Sequence, residues 1–482
     1  MSTHLIARNT TYFTAAIIFQ KLLATLYFIF IARHFSNADV GEYTNAIYLA
    51  TLFGIFVELG FGAVLTREVA KFPHRAQEYL ANVTAIKLVA MLFTYLALAV
   101  YMNVTHYPEL AKQLAFLAGM VMILDSFNVA LYAVLRGFQN FVYEAIGVSV
   151  GQIFLVSFGL YCIFTGKSLH FLVLAILISS IWNFFIASYF LKKKYQISLR
   201  PRWDPTILRA IVKIGFPFLI FGIFMRFYGY IDTVILYRMT NSTEVSYYAA
   251  AYKITFALTF IPAAFGSTLY PAFSKYFLEE KEKLATVFER AIFSLAVISV
   301  PVALGTAAIA DRLIPFIYGA NYTPAILALQ ILMASLIFIF LGFPVGALLN
   351  ACNLQKQNTF YMAGALLLNI ITNVIFIRLW GFVGAALALF FSSALLFFGP
   401  LYSARQIVTL SYKQLVKDIS KIGLAAIGMY IVILLLKPYA HFGVLIVFGG
   451  SIYLLLLYLL GGYTKKELNF FLSVLKKTKP DA

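Results

Sequence analysis

The stretch IARHFSNADVGEYTNA at residues 31–46 is followed, 205 positions later, by the related stretch LYRMTNSTEVSYYAAA at residues 236–251. At this offset identical residues align without a gap: Arg33 with Arg238, Val40 with Val245 and Tyr43 with Tyr248. A hydrophobic run precedes each stretch, and each run carries one cation near its middle, Lys21 in the first and Arg226 in the second. The repeat predicts a chain of two similar lobes.

The composition indicates a membrane protein. Of 482 residues, 62% are hydrophobic and 12% are charged, and the mean hydropathy is +0.88. Soluble domains are about 25% charged. Most of this chain is therefore predicted to lie in lipid.

Fourteen apolar segments are each close to the ~20 residues that a helix needs to cross a bilayer. The predicted fold class is an all-α polytopic membrane protein with about 14 transmembrane helices. The segments lie at about 9–32, 43–66, 80–102, 113–135, 145–165, 169–191, 213–237, 247–272, 288–310, 325–349, 359–378, 382–403, 418–437 and 441–461.

The segments divide the chain into two six-helix lobes and an addition. Because each lobe holds an even number of helices, both lobes have the same topology, as expected of parallel repeats in a transporter. The predicted parts are an N-lobe at 1–192, a basic linker at 193–212, a C-lobe at 213–405, and a last helix pair with a basic tail at 406–482.

Lys and Arg are concentrated in the segments that lie on the side of the two termini. This asymmetry predicts that both termini are cytoplasmic and that the protein lies in a bacterial or archaeal cytoplasmic (inner) membrane. The net charge of +18 is then explained by topology and by attraction to anionic lipid, not by nucleic acid.

The two central cations are candidate functional residues. Lys21 and Arg226 each lie 12 or 13 residues from a cation at either end of the helix, which is roughly 18–20 Å and places them near the bilayer midplane. Charges at that depth are costly and mark sites by default. The alternative is structural, with Asp125 and backbone carbonyls satisfying them. Arg and Lys together suit a phosphate.

Four more charged residues form two pairs at equal depth. Glu58 and Lys87 lie in the inner third of consecutive helices, and Asp232 and Lys253 lie in the outer third. Opposite charges in buried helices neutralise one another, so a structural or gating role is expected for both pairs.

Enzyme motifs are poor. The sequence GVSVG at 147–151 matches a nucleophile elbow, but that motif requires a strand-to-helix turn, and here it falls within an apolar segment. No Walker-type loop and no HExxH sequence occurs. We therefore expect a protein that is not an enzyme and that binds no cofactor beyond a coupling ion.

The sequences ARHFSNADVGEYTNAI and VELGFGAVLTREVAK resemble the opening of the polysaccharide-transport, or O-antigen-type, flippases of the multidrug/oligosaccharidyl-lipid/polysaccharide exporter superfamily, which includes the lipid II flippase. The resemblance covers residues 5–405. It implies translocation of an undecaprenyl-pyrophosphate-linked oligosaccharide, a surface polysaccharide precursor, from the inner to the outer leaflet by alternating access.

The resemblance also implies site residues. First-helix cations meet the pyrophosphate in the lipid II flippase, and Lys21, Arg226 and Arg8 fit that role here, with Asp125 nearby. The partners implied are the lipid-linked glycan, membrane lipids and other polysaccharide-assembly proteins. Two additional C-terminal helices form a lipid-tail groove in that relative and are similar to the last pair here.

A sodium ion is the further implication. In the lipid II flippase an acid on helix 7 and polar residues on helices 11 and 12 hold sodium. The similar positions here are Asp232, Asn369, Asn373, Ser392 and Ser393. An Asp232–Lys253 ion pair and proton coupling through Asp232 or Asp125 remain alternatives.

Two other functions remain open. A multidrug exporter of the same superfamily is the nearest alternative, although such a pump would need an acidic cavity for its cationic substrates. A membrane glycan polymerase or ligase is a third reading, but such enzymes usually need a large outer loop, which this sequence lacks.

Overall fold

The structure, a computed structural model, describes residues 3–462, with side chains from residue 13 onward except those of residues 267 and 412. These residues form helices joined by short connections, and no β-strand occurs among them. The helices are α1 Thr3–His34, α2 Asn37–Glu58, α3 Phe61–Lys71, α4 Ala76–Val104, α5 Glu109–Gly137, α6 Val142–Phe164, α7 Leu169–Tyr195, α8 Pro205–Met239, α9 Ser242–Ala257, α10 Phe260–Glu279, α11 Lys281–Tyr318, α12 Ala325–Ala351, α13 Gln355–Ala404, α14 Tyr412–Leu436 and α15 Phe442–Leu459.

Thirteen helical elements of the described chain are long and apolar enough to cross a membrane. One of them, α13, is interrupted at Trp380 (φ −135°, ψ 15°) and Gly381 (φ 55°, ψ −134°), and each of its two arms is long enough to cross a membrane. The left-handed backbone at Gly381 suits a residue without a side chain. The all-α membrane fold with about 14 spanning helices is therefore confirmed, and the chain is a multi-pass membrane protein.

Two predicted helix boundaries were wrong. The segment expected at 43–66 is α2, which ends at Glu58 because Leu59 (φ 50°) and Gly60 (φ 72°) both have left-handed backbone, and α3 then begins as a separate short helix. The segment expected at 247–272 is likewise split into α9 and α10. Hydropathy alone does not detect such breaks, since both sides of each break are apolar.

Helix ends in the first half of the chain follow the 205-residue offset. The helix α1 ends at His34 and α8 ends at Met239, and the helices that follow begin at Asn37 and Ser242. These helix boundaries therefore agree with the repeat seen in the sequence. The repeat over both complete lobes remains a prediction.

Contacts group the chain into two compact units. The first unit comprises Met1–Lys253 and Asn369–Ala385, and the second unit comprises Ile254–Leu368 and Ala386–Ala482. The predicted domain limits at 192, 212 and 405 rest on sequence alone and stay predictions. The predicted basic tail from residue 463 onward lies outside the described residues.

The first unit contains an apolar core built from α3, α4, α5, α7 and the start of α8. Leu131 and Val134 of α5 and Leu80 and Val83 of α4 are at its centre, and Ile211 of α8 closes it. Elsewhere on α4 a face of large apolar residues is exposed and available to lipid, namely Leu92, Phe93, Leu96, Val100 and Val104.

The second unit is held together by α11, which packs against α12 and α14. At the end of α14, Lys437 forms an ion pair with Asp311 of 2.5 Å and donates to the carbonyl of Ala308 at 2.8 Å. Arg312 donates to the carbonyls of Lys437 and Ala440. The contacts of Arg312 satisfy carbonyls that the end of α14 leaves without an intrahelical partner.

Candidate functional site

The guanidinium of Arg226 is held against the backbone of α2. Its Nη1 donates to the carbonyl of Thr51 at 2.9 Å. Gly54, one turn further along α2, makes room for it, because a Cβ at that position would lie 3.0 Å from Nη1 and 2.8 Å from Cγ of Met122. Arg226 is half-buried, so its remaining donors are available to a ligand.

Arg226 lines a cavity of about 200 Å³ within the first unit. Its walls are formed by α2, α5, α7 and α8, and the lining includes polar as well as apolar side chains. The polar lining residues are Thr51, Glu58, Asp125, Ser126 and Arg226. The cavity therefore brings the predicted residues Arg226 and Asp125 together.

Asp125 is an exposed carboxylate on α5 whose hydrogen-bond partners are neutral. Its Oδ1 accepts a hydrogen bond of 2.6 Å from the hydroxyl of Ser180 and a longer one of 3.4 Å from the amide of Asn128. Asn128 also donates to the carbonyl of Ser180 at 3.0 Å. The α5–α7 contact thus fixes the carboxylate beside the cavity without neutralising its charge.

Glu58 and Lys87 form the ion pair that their depth predicts, at 2.7 Å. The Lys87 ammonium also donates to the carbonyl of Ser126 at 2.9 Å and to its hydroxyl at 2.6 Å, which uses all three of its donors. The other oxygen of Glu58 accepts from the backbone amide of Gly62 at 2.8 Å. The pair therefore joins α2, α4 and α5 and caps the start of α3.

The two other predicted cations are placed differently. Lys21 lies on α1 and is not among the residues that line the Arg226 cavity in the described chain. A binding site shared by Lys21 and Arg226 stays a prediction. Arg8 belongs to α1, and its side chain lies outside the described residues.

Asp232 lies in a second polar cluster of the first unit. Its Oδ2 accepts from the hydroxyl of Tyr248 and its Oδ1 from the amide of Asn373, both at 2.9 Å. The same Asn373 amide lies 3.1 Å from Oδ1 of Asn369. Three of the residues predicted to hold sodium, Asp232, Asn369 and Asn373, are therefore together.

The remaining predicted sodium ligands belong to the second unit. The hydroxyl of Ser392 donates to the carbonyl of Leu389 at 3.1 Å, and that of Ser393 donates to the carbonyl of Phe390 at 2.9 Å. Across the described residues, no group of three His, Cys, Asp or Glu side chains forms a metal cluster. A site built from one acid and several amides remains a prediction.

The expected pairing of Asp232 with Lys253 was wrong. No ion pair between them is found in the described chain, and the Lys253 ammonium lies instead 5.3 Å from the ring centre of Phe28 and 5.9 Å from that of Tyr48. The reason is helical geometry. Tyr248 faces Asp232, and Lys253 is five residues later, which turns it about 140° around α9 at 3.6 residues per turn.

Sequence reasoning missed three residues that position the charged groups. The sequence does not single out Thr51 or Gly54. Thr51 binds Arg226 through its backbone carbonyl, which every residue has, and Gly54 acts only by leaving space. Tyr248 was visible as the partner of Tyr43 in the repeat, but its hydroxyl could not be assigned to Asp232 without the fold.

The chain is similar to known membrane proteins over most of its length. It is 22% identical over 389 residues, 80% of either chain, to the "probable low-salt glycan biosynthesis flippase Agl15" of Haloferax volcanii. Its fold resembles the lipid II flippase MurJ in an inward closed conformation, with a TM-score of 0.75, 18% identity, and coverage of 92% of this chain and 97% of that one.

A second solved structure, an inward-facing multidrug resistance MATE transporter of the MOP superfamily, gives a TM-score of 0.67 at 16% identity, covering 81% of this chain and 98% of that one. At these low identities, the similarity to the two solved structures concerns the fold only. The family is identified by sequence, because residues 6–277, more than half of the chain, match the family described as "Polysaccharide biosynthesis protein". The chain therefore belongs to the polysaccharide biosynthesis protein family.

Proposed function

We propose that this protein is a flippase for a lipid-linked glycan. Its substrate is an isoprenoid pyrophosphate-linked oligosaccharide, with undecaprenyl as the carrier lipid, moved from the inner to the outer leaflet of the cytoplasmic membrane by alternating access. The protein transports this substrate and does not transform it. The names of the relatives and the family membership support this proposal.

The observation that carries the proposal is Arg226 at its cavity. A guanidinium offers a planar fork of donors that matches the oxygens of a phosphate. One donor of Arg226 is bonded to Thr51, which fixes its direction, and the side chain is half-buried beside a space of about 200 Å³. Such a preoriented cation supports binding of the pyrophosphate near the midplane, where an uncompensated phosphate would otherwise be costly.

A multidrug exporter is the alternative, supported by the MATE-like fold. Exporters of organic cations need an acidic binding cavity. Here Glu58 is already paired with Lys87 at 2.7 Å, and Arg226 adds a positive charge to the same cavity. With Glu58 neutralised, the cavity holds Arg226 and Asp125 in balance, so it is not the acidic cavity that an exporter of cations needs.

The test is transport by purified protein in proteoliposomes. The probe is an isoprenoid pyrophosphate carrying a fluorescent oligosaccharide, and its appearance in the opposite leaflet is measured by a membrane-impermeant quencher. We expect flipping by the natural protein and at least tenfold slower flipping by Arg226→Ala. Arg209→Ala, an exposed cation of the same helix, is the matched control. Equal flipping by Arg226→Ala, or efflux of organic cations instead, would contradict the proposal.

A further inference from the structure

The two ends of α13 form another cavity, in the second unit. The hydroxyl of Tyr361, near the start of α13, lies 2.8 Å from the hydroxyl of Ser403, near its end, so the two ends are side by side. A Cβ on Gly399 would lie 2.6 Å from Cδ1 of Tyr361, so the missing side chain at Gly399 permits this approach. The cavity measures about 380 Å³, which is the size of a small-molecule site.

This cavity is positively charged. Lys356 is its charged lining residue, no lining residue is acidic, and none of the ion pairs in the described chain involves Lys356. Beside the cavity, the guanidinium of Arg405 lies 5.0 Å from the ring centre of Tyr402. The N-cap of α13, Leu354, has an apolar side chain that satisfies no backbone amide, and such a helix start attracts anions. The cavity therefore favours an anionic ligand.

Gln357 contributes an acceptor that lacks a donor. Its Nε2 donates to Oε1 of Gln406 at 3.3 Å, but its own Oε1 is buried and accepts no hydrogen bond from the described residues. A buried acceptor without a partner costs free energy, and a ligand that donates to Gln357 removes that cost. Because Lys356 repels an ammonium group, a hydroxyl is the donor that fits. The ligand is thus expected to combine a negative charge with a hydroxyl.

Large apolar side chains continue from the cavity along both arms of α13. On the first arm Phe360 and Leu367 are 75% and 60% exposed, and on the second arm Tyr402 and Phe398 are 65% and 56% exposed. Residues four or seven apart lie on one face of a helix, so each pair forms an apolar strip that starts at the cavity. A polar cavity followed by two apolar strips matches the headgroup and the chains of a membrane lipid. A soluble phosphate would leave the strips unused.

We infer that the cavity between the ends of α13 binds the headgroup of an anionic phospholipid of the phosphatidylglycerol class. Lys356 and the start of α13 attract its phosphate, Gln357 accepts from a glycerol hydroxyl, and the apolar strips contact its acyl chains. Basic pockets between helices at the membrane surface recognise anionic headgroups in this way. The site is separate from the Arg226 cavity and does not depend on the transported substrate.

The experiment is photocrosslinking in proteoliposomes. The purified full-length protein is reconstituted in phosphatidylcholine with a small fraction of phosphatidylglycerol that carries a diazirine near the ester of one acyl chain. Labelled peptides are then identified by mass spectrometry. We expect the label to be concentrated in residues 355–367 and 398–406.

The variant Lys356→Ala should reduce this label about fivefold, because one cation at the membrane surface contributes about that factor to binding of an anionic lipid. Its side chain is exposed, so the fold should be unchanged. Lys281→Ala is the matched control. Lys281 is an exposed cation at the start of α11 in the same unit, and its removal should leave the label as in the natural protein.

Competition with unlabelled compounds identifies the headgroup and its source. Phosphatidylmethanol has the charge of phosphatidylglycerol but no headgroup hydroxyl, so it should compete about fivefold less well, the factor expected for one hydrogen bond. Gln357→Met should remove the difference between the two lipids. Soluble glycerol phosphate supplies the headgroup without the chains and should not displace the label even in large excess.

The contrary outcomes are equally definite. Label spread evenly over the apolar surface, or equal label in Lys356→Ala and the natural protein, overturns the inference. Equal competition by phosphatidylmethanol and phosphatidylglycerol overturns the role of Gln357 and with it the choice of headgroup. Displacement by glycerol phosphate would show that the cavity binds a free phosphate and not a lipid. None of these results affects the proposed flippase function.

Discussion

Ion pairs are distributed differently in the two compact units. Besides pairs nearer its surface, the first unit contains the buried pair of Lys87 and Glu58, whose side chains are 0% and 11% exposed. In the second unit the ion pairs lie at helix ends, as in Lys437 and Asp311, at 19% and 47%. Removing one partner of a buried ion pair leaves an uncompensated charge, so the first unit should be sensitive to such a change where the second is not. The cavity at Arg226, on which the proposed function rests, lies in the same unit as this buried pair.

The largest expected effect tests this sensitivity directly. Lys87→Met leaves Glu58 buried without its partner and should destabilise the protein by about 3–5 kcal/mol. The matched change in the second unit, Lys437→Met, should cost about 1 kcal/mol or less because its partner is half exposed. Thermal unfolding in detergent measures both.

The double variant Lys87→Met, Glu58→Gln provides the control. Removing both charges should restore most of the stability lost with Lys87 alone, because the uncompensated carboxylate is gone. Equal destabilisation by Lys87→Met and Lys437→Met would show that burial of the ion pair in the first unit does not make it more important for stability.

The second prediction concerns Gly54. Gly54→Ala places a Cβ where the guanidinium of Arg226 lies, 3.0 Å from its Nη1, and should lower flipping about tenfold, equivalent to about 1.4 kcal/mol. Gly364→Ala, in the second unit, meets nothing within 4 Å and should have no effect. Normal flipping by Gly54→Ala would mean that the position of Arg226 against Thr51 is not needed.

A smaller loss of stability is expected at two carboxylates, one in each unit, that cap the start of a later helix. Glu244 accepts from the amide of Phe382 at 2.9 Å, and Glu289 accepts from the amide of Ser411 at 2.8 Å. Loss of such a cap costs about 1 kcal/mol. We expect that loss for Glu244→Ala and less for Glu289→Ala, whose hydrogen bond is exposed. Equal melting temperatures of Glu244→Ala and the natural protein would contradict the prediction.

The smallest effect is expected at Asp232. Each of its oxygens accepts one hydrogen bond, from Tyr248 or Asn373, and keeps acceptor capacity for a cation. If the predicted sodium site forms, the melting temperature should be slightly higher in sodium than in potassium, and Asp232→Asn should remove the difference. Equal melting temperatures of the natural protein in the two salts would contradict the site.

The sequence was sufficient for the class of fold and for some of the site. Hydropathy located the crossings because lipid imposes a length on each helix, and depth alone predicted the pair of Glu58 and Lys87. It could not locate the break at Leu59 and Gly60, where the backbone turns within apolar sequence. It also placed Lys253 wrongly, because equal depth does not specify the face of a helix. Asp125 and Arg226 were singled out as charges, but their common cavity depends on packing.

The ion pair of Glu58 and Lys87 has a consequence for biosynthesis. A lysine opposes the insertion of a helix that meets lipid alone, by up to about 2.5–3.5 kcal/mol at the centre of the bilayer. Glu58 is synthesised 29 residues before Lys87, so α2 is already available when α4 enters the membrane. If α2 is retained at the insertion machinery until α4 arrives, the two charges enter lipid as a neutral pair. The order of the helices along the chain thereby lowers the cost of assembling a polar interior.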